Sequence, residues 1–325
     1  MKKILLAIMA MSLFFVSCKD KNIMSIKVDN FSNGKAGEMI LVMDDKYFSE
    51  NQVKEITDCL QKPQPAINQI EPMFDVLHFQ AADFTSNFVK HRNIVHFDIN
   101  PNYNINTISF DRNAWSNPQV YIQIKGNNVD SCLNLFRTHE DTIVNLLYDN
   151  DLKRVQYAFN RELEPNIQKK LKESFGISLC IPNHYFIANQ TNDFMWLRFR
   201  TSKNDRFVMI YKLPAYELTK ANVIAMRDTI TKKYIPGAVK NAFPIISQKA
   251  GFPIVNPIQI GSKDGIEMRG LWESIGDYMG GPFYSFTFKS PDGQYCITVD
   301  GFVYAPQEEK RNFLREVEAI VKSVH

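Results

Sequence analysis

The chain is short of the residues that advertise chemistry. It has five cysteines and six histidines in 325 residues. No two cysteines stand in CxxC spacing, so neither a thioredoxin-like pair nor a thiolate zinc site is indicated. There is no GxSxG, no HExxH and no Gly-Lys-Ser/Thr phosphate loop. An excess of either charge is also missing. The 38 basic residues face 35 acidic ones, a formal net charge of +3. Nucleic acid binding needs a basic stripe, and none is present. Beyond the N-terminus no long apolar run occurs, so no internal membrane span is expected. No low-complexity segment is found, and no motif implies a cofactor or a metal.

What is present starts at the N-terminus. Lys2 and Lys3 precede thirteen uncharged residues, Ile4 to Val16. This run is shorter than the roughly 20 residues of a membrane helix and fits the apolar core of a secretory signal. Phe15-Val16-Ser17-Cys18 resembles a lipobox. The thiolate of Cys18 is the nucleophile that takes a diacylglyceryl group. The reading is a signal peptide over 1–17, then lipidated Cys18 and a polar tether over 18–36. Stable anchoring needs more than one chain, each buried methylene contributing roughly 0.8 kcal/mol. Loss of Lys2 and Lys3 with the signal leaves 36 basic against 35 acidic residues, a formal charge of +1. The expected location is the cell envelope, on the outer membrane facing the periplasm. Lys19-Asp20-Lys21 has one acidic residue, a weak version of the cluster that marks surface exposure, the alternative.

The mature chain alternates. Glu38 to Met43, Met73 to Phe79, Asn93 to Ile99 and Val120 to Ile124 read as strands. Ser49 and Gln52 form a capping box for a helix that Pro63 and Pro65 stop. A short helical stretch carries Phe84 and Phe88. Residues 127–174 show only helical spacing. The second half is richer in strands, at about 177–188, 193–201, 205–213, 264–273, 282–290 and 294–304. A helix at about 219–234 interrupts them. The chain ends in a helix from about Pro306, with Phe313, Leu314, Val317, Ile320, Val321 and Val324 on one apolar face. The expected fold class is therefore α+β. An N-terminal α/β layer domain (37–150) is joined by a helical linker (151–175) to a C-terminal domain (176–325). The latter is a mainly antiparallel sheet with helices packed on it. Cys59, Cys132, Cys180 and Cys296 are either small buried residues or disulfide partners in an oxidising compartment.

The densest polar signal is Gly270 to Phe283, with four glycines, Trp272, Tyr278, Glu273 and Asp277 by residue 281. Glycine permits positive φ and close backbone approach. The ligand-binding candidates are Trp272 and Tyr278, as stacking surfaces, and Asp277, as an acceptor. The competing reading is a structural turn. His91, Arg92 and Asn93, with Asp75, His78 and His96, allow a metal or acid–base site to be imagined. The favoured role of Arg92 and Asn93 is to tie a strand start to a neighbouring loop. Glu267, Arg269 and Glu273 share one strand face and read as a solvated charged ladder.

Several stretches together resemble a known family. They are Gly34-Lys35-Ala36-Gly37-Glu38, Glu71-Pro72-Met73-Phe74-Asp75, His91-Arg92-Asn93-Ile94, Asn113-Ala114-Trp115, Gly270-Leu271-Trp272, Gly276 to Phe283 and Gly301-Phe302-Val303-Tyr304-Ala305-Pro306. The resemblance, over nearly the whole mature chain, is to the domain-of-unknown-function 4837 family of Bacteroidota lipoproteins. It implies lineage and an envelope location, and no catalytic residue. The functional expectation is a membrane-anchored envelope lipoprotein that acts as a non-catalytic binding or accessory module. Its partners would be the membrane, through the lipid, and envelope proteins or glycans. The alternative is a hydrolase of a cell-wall or glycan substrate, using paired carboxylates among Glu267, Glu273 and Asp277.

Overall fold

The computed structural model describes residues 30–47, 50–249 and 253–325. Cys18, the signal and most of the tether lie outside the described residues, as does Ser49. The elements run β1 (Glu38–Val42), α1 (Glu50–Leu60), β2 (Asp75–Phe79), β3 (Asn93–Ile99), β4 (Thr107–Arg112), β5 (Val120–Gly126), α2 (Val129–Thr138), α3 (Glu140–Asn160) and α4 (Pro165–Phe175). Then come β6 (Phe186–Gln190), β7 (Phe194–Arg200), β8 (Asp205–Pro214), α5 (Lys220–Tyr234), β9 (Phe243–Ser247), β10 (Ile254–Ile260), β11 (Lys263–Ile275), β12 (Gly280–Lys289), β13 (Tyr295–Tyr304) and α6 (Arg311–Val321).

The fold is α+β, with two sheets. The first has five strands in the order β2-β1-β3-β5-β4, and all but the edge strand β4 are parallel. Parallel strands buried on both faces read as continuous apolar runs, as β1 does. Met39, Leu41, Val95, Phe97 and Ile122 meet Ile56, Leu60, Leu133, Phe136 and Leu147 of α1, α2 and α3. Ile40, Val42, Ile94 and Tyr121 face the other way, onto Phe79 and Phe84. The second sheet is antiparallel, in the order β10-β11-β12-β13-β8-β7-β6, with β9 also paired to β11. Its inner face packs on α4 and α6 through residues such as Val208, Ile210, Phe286 and Val299.

Several elements differ from the expectation, for local reasons. The run at 177–182 is mostly buried but irregular, and the strand begins only at Phe186. Pro182 interrupts it, and left-handed Gly176 ends α4 just before. Phe88 lies in a turn and Phe84 just after one, neither of them in a helix. Strand β4 is mostly exposed on both faces, so its sequence does not alternate. Strand β10 contains Pro257, which an edge strand tolerates. The expected boundary at residue 150 falls inside α3, which continues to Asn160. All four cysteines from Cys59 to Cys296 are free and buried.

Residues Phe31–His325 pack as one compact unit, and α6 is central to it. Leu314, Val317, Ile320 and Val321 turn their apolar side to the second sheet. The opposite face carries Arg311, Arg315, Glu318 and Lys322, and it is buried too, against the first half. Arg315 pairs with Asp151 of α3 at 2.7 Å, and Asp151 also accepts from Arg92 at 3.3 Å. Glu71 accepts the backbone amides of Lys310 and Arg311, both at 2.7 Å. A carboxylate from the first half thus caps the α6 N-terminus, where the helix dipole favours negative charge.

Candidate functional site

The outer face of the second sheet holds the candidate site. Side chains alternate across a strand, so Trp196, Arg198 and Arg200 of β7 share this face with Asp205 and Phe207 of β8. The antiparallel register sets Arg198 beside Phe207 and Phe207 beside Phe302 of β13. One step along, it sets Arg200 beside Asp205 and Asp205 beside Tyr304. Deeper on the same face, α5 covers the sheet. Its Arg227 is fully buried and grips Asp300 at 2.7 and 3.3 Å. Past Tyr234 the helix has ended, and the aromatic rows beyond it line an open cleft of about 510 Å³. That volume lies within the usual range of small-molecule sites, about 300–1,000 Å³.

Four aromatic rings make the floor continuous. Trp196 and Phe207 stack with centroids 5.8 Å apart, and Phe207 and Phe302 at 4.5 Å. Trp272 meets Phe302 edge-on at 5.8 Å. The rim is charged. Asp205 accepts from Arg198 at 2.6 Å and from Arg200 at 3.0 Å. Burial pushes the Asp205 carboxyl up, and Arg200 pulls against that. The Arg198 guanidinium lies 5.3 Å from the Phe207 ring centre and 5.9 Å from that of Trp196. Two donors at this end, Trp196 Nε1 and Arg198 Nε, are buried with no hydrogen-bond partner among the described residues. Leaving such a group unsatisfied costs about 1–3 kcal/mol.

The 270–283 segment supplies the far wall. Trp272 is 3 % exposed, its ring in the outer-face core and its Nε1 donating to the Val303 carbonyl at 3.1 Å. It forms part of the cleft floor, level with Phe207 and Phe302, rather than standing out from the surface as a separate ring. Gly281 stands opposite it on β12, and a Cβ there would lie 2.0 Å from the Val303 oxygen and 3.3 Å from Trp272 Nε1. Only glycine leaves that space. Gly276 turns the chain with φ +89°. Asp277 then accepts the Ala238 amide at 2.8 Å and the Met279 amide at 3.0 Å. Burial works against its charge, but the Ser274 side chain and these amides outweigh burial and hold its carboxyl below the ordinary range. Asp277 therefore pins one cleft wall, 237–238, to the other. Tyr278 is fully exposed at the tip. A second cleft of about 500 Å³ adjoins the first across Trp272, Ser274, Met279 and Tyr304. Asn68, Gln69, Glu273 and Lys310 make it more polar.

The remaining candidates sit elsewhere. Glu267 and Arg269 are not a solvated ladder. Both side chains are 13 % exposed, and Arg269 donates to buried Glu318 of α6 at 3.0 Å. Glu267 and Glu273 are six residues apart on β11, about 20 Å at strand rise. That pair is too far apart for glycoside hydrolysis, which needs about 5–9.5 Å, while Glu273 and Asp277 both line the second cleft. Arg92 and Asn93 tie β3 to Asp151 of α3 rather than to a loop alone, although Arg92 also reaches the Gly34 carbonyl at 2.7 Å. His91 is buried at the start of β3, and burial lowers its pKa. No group of three or more His, Cys, Asp or Glu side chains suited to a metal occurs among the described residues. No sequence motif marks Arg198, Arg200, Asp205, Phe207 and Phe302 as one site. The arginine–aromatic run of Phe194 to Arg200 is a signal for Arg198 and Arg200 alone.

Two family models match the chain. Residues 164–323 match a Domain of unknown function (DUF4837), and residues 32–160 a Domain of unknown function (DUF8532). The early motifs, Gly34 to Trp115, thus fall in the second model, and the DUF4837 match begins only at α4. No curated protein matches the chain. A crystal structure from Bacteroides thetaiotaomicron VPI-5482 is similar over 46 % of this chain and 44 % of its own, at 9 % identity and a TM-score of 0.24. The chain therefore spans under half of that protein's length. The cleft, built from β7, β8, β11 and β13, lies wholly within 164–323, and over those residues the chain belongs to the DUF4837 family.

Proposed function

We propose that the protein is a membrane-anchored envelope lipoprotein acting as a non-catalytic binding module, with the aromatic cleft of the second sheet as its ligand seat. The observation that carries this reading is the continuous floor Trp196–Phe207–Phe302–Trp272 beside the Arg198–Asp205–Arg200 rim. Aromatic floors hold the apolar faces of rings at low entropic cost, while charged rims orient their polar edges. The anchor rests on the sequence alone, on Lys2, Lys3, the apolar run and Ser17-Cys18.

Two experiments test the two parts. The chain has three tryptophans, and Trp115 lies in the other half, so Trp115→Phe leaves Trp196 and Trp272 as reporters. Titration with methyl glucoside or benzyl alcohol should shift their emission saturably. Met279→Trp, which fills the cleft, should weaken that binding at least about tenfold, or 1.4 kcal/mol. Unchanged emission with these probes and with their carboxylate counterparts, methyl glucuronide and benzoate, or full binding by the Met279 variant, refutes the seat. For the anchor, intact mass of the purified protein should give a chain beginning at Cys18 and carrying acyl mass. A different start or no lipid refutes it.

A further inference from the structure

The rim of the cleft is unevenly charged. Arg198 and Arg200 share one carboxylate, Asp205, and among the described residues lining this cleft no other is acidic, Asp277 being spent on the Ala238 and Met279 amides of the wall. The site therefore carries one unmatched positive charge, against an aromatic floor. Beside it, Trp196 is nine-tenths buried and its Nε1 has no hydrogen-bond partner among the described residues, like Arg198 Nε. Both atoms are closed to solvent, so a ligand in the open cleft meets the exposed Arg200 guanidinium rather than these two donors. A guanidinium edge matches a planar carboxylate with two parallel hydrogen bonds. A single negative charge brings the rim to neutrality, whereas a phosphate dianion would overshoot it.

Resting on the reading of the cleft as a ligand seat, we propose that it selects a ring bearing one carboxylate. The ring lies on Phe207, Phe302 and Trp272, and the carboxylate meets Arg198 and Arg200. Acidic sugars and aromatic acids share this chemistry, and matched probes separate them. Methyl glucuronide is compared with methyl glucoside, and benzoate with benzyl alcohol, by calorimetric titration of the full chain. In at least one pair the acid should bind about tenfold tighter, as a charge-assisted hydrogen bond provides. The pair that shows it names the source. Arg200→Gln removes a guanidinium from a half-exposed side chain that the fold does not need, and should cut the preference at least about threefold. Arg198→Lys keeps the charge and loses the fork, and should cut it further. Acid and neutral probes binding alike in both pairs would overturn the carboxylate proposal and leave the seat standing. No binding by any of the four, with native circular dichroism, would overturn both.

Discussion

Glu318→Gln is the sharpest probe of how the two halves are held together. Glu318 is completely buried on α6. It accepts from Arg269 at 3.0 Å, from Lys322 at 3.0 Å and from the Tyr148 hydroxyl of α3. Burial disfavours its charge, but Arg269, then Lys322 and Tyr148, outweigh burial and hold the carboxyl down to about 2. An unperturbed glutamate titrates near 4.5. That difference corresponds to about 3 kcal/mol of stability. The sign follows from proton counting. Below 4.5 the unfolded chain takes up a proton that the folded chain refuses until about 2. The contribution is thus whole above about pH 5 and drains away as pH falls to 2. The amide removes the charge and leaves Arg269 and Lys322 without their shared anion. Breaking a buried pair from one side costs about 3–5 kcal/mol, and Lys322, partly exposed, keeps the cost near the lower end. Urea unfolding of both proteins, followed by circular dichroism, supplies the test. The gap should be about 3 kcal/mol at pH 7 and about 1 kcal/mol at pH 3. A gap that does not change with pH, or one below about 1 kcal/mol at pH 7, would refute the reasoning.

The wall of the cleft gives two further expectations. Asp277→Ala should release the Ala238 and Met279 amides, speeding their hydrogen exchange about tenfold while core strands keep their protection. Unchanged exchange at both would mean that Asp277 does not pin the wall. Gly281→Ala should destabilise the fold by about 1–3 kcal/mol, because the new methyl meets the Val303 backbone rather than a movable side chain. Trp272 emission should move with it, and an unaltered unfolding midpoint would contradict the close packing.

The strands β1, β3 and β5, the helical middle and the apolar side of α6 were legible because each is a local pattern. Parallel strands are continuous runs, and a helix facing one sheet shows one stripe. The charged side of α6 was not. Arg311, Arg315, Glu318 and Lys322 have the spacing of a solvated face. Periodicity marks the face that avoids water, but not whether a second layer covers the other. Here the first half does, and Asp75, Asp151 and Tyr148 supply partners from more than 160 residues away.

The candidate site divides in the same way. Gly270 to Phe283 stood out in the chain because glycines, rings and acids crowd there, and its turn does border the cleft. What its residues do depends on their neighbours. Trp272 sinks into the core because Gly281 vacates the space opposite it and Val303 takes its N–H, while Tyr278, six residues on, stands in solvent. Trp196, Phe207, Trp272 and Phe302 are scattered over more than a hundred residues, and no spacing links them. They meet because β8 pairs with β13, and because α5 stops before it covers them. Side-chain alternation is a property of one strand and can be read along it. The order in which strands lie side by side is a property of the folded sheet, and that order made the cleft.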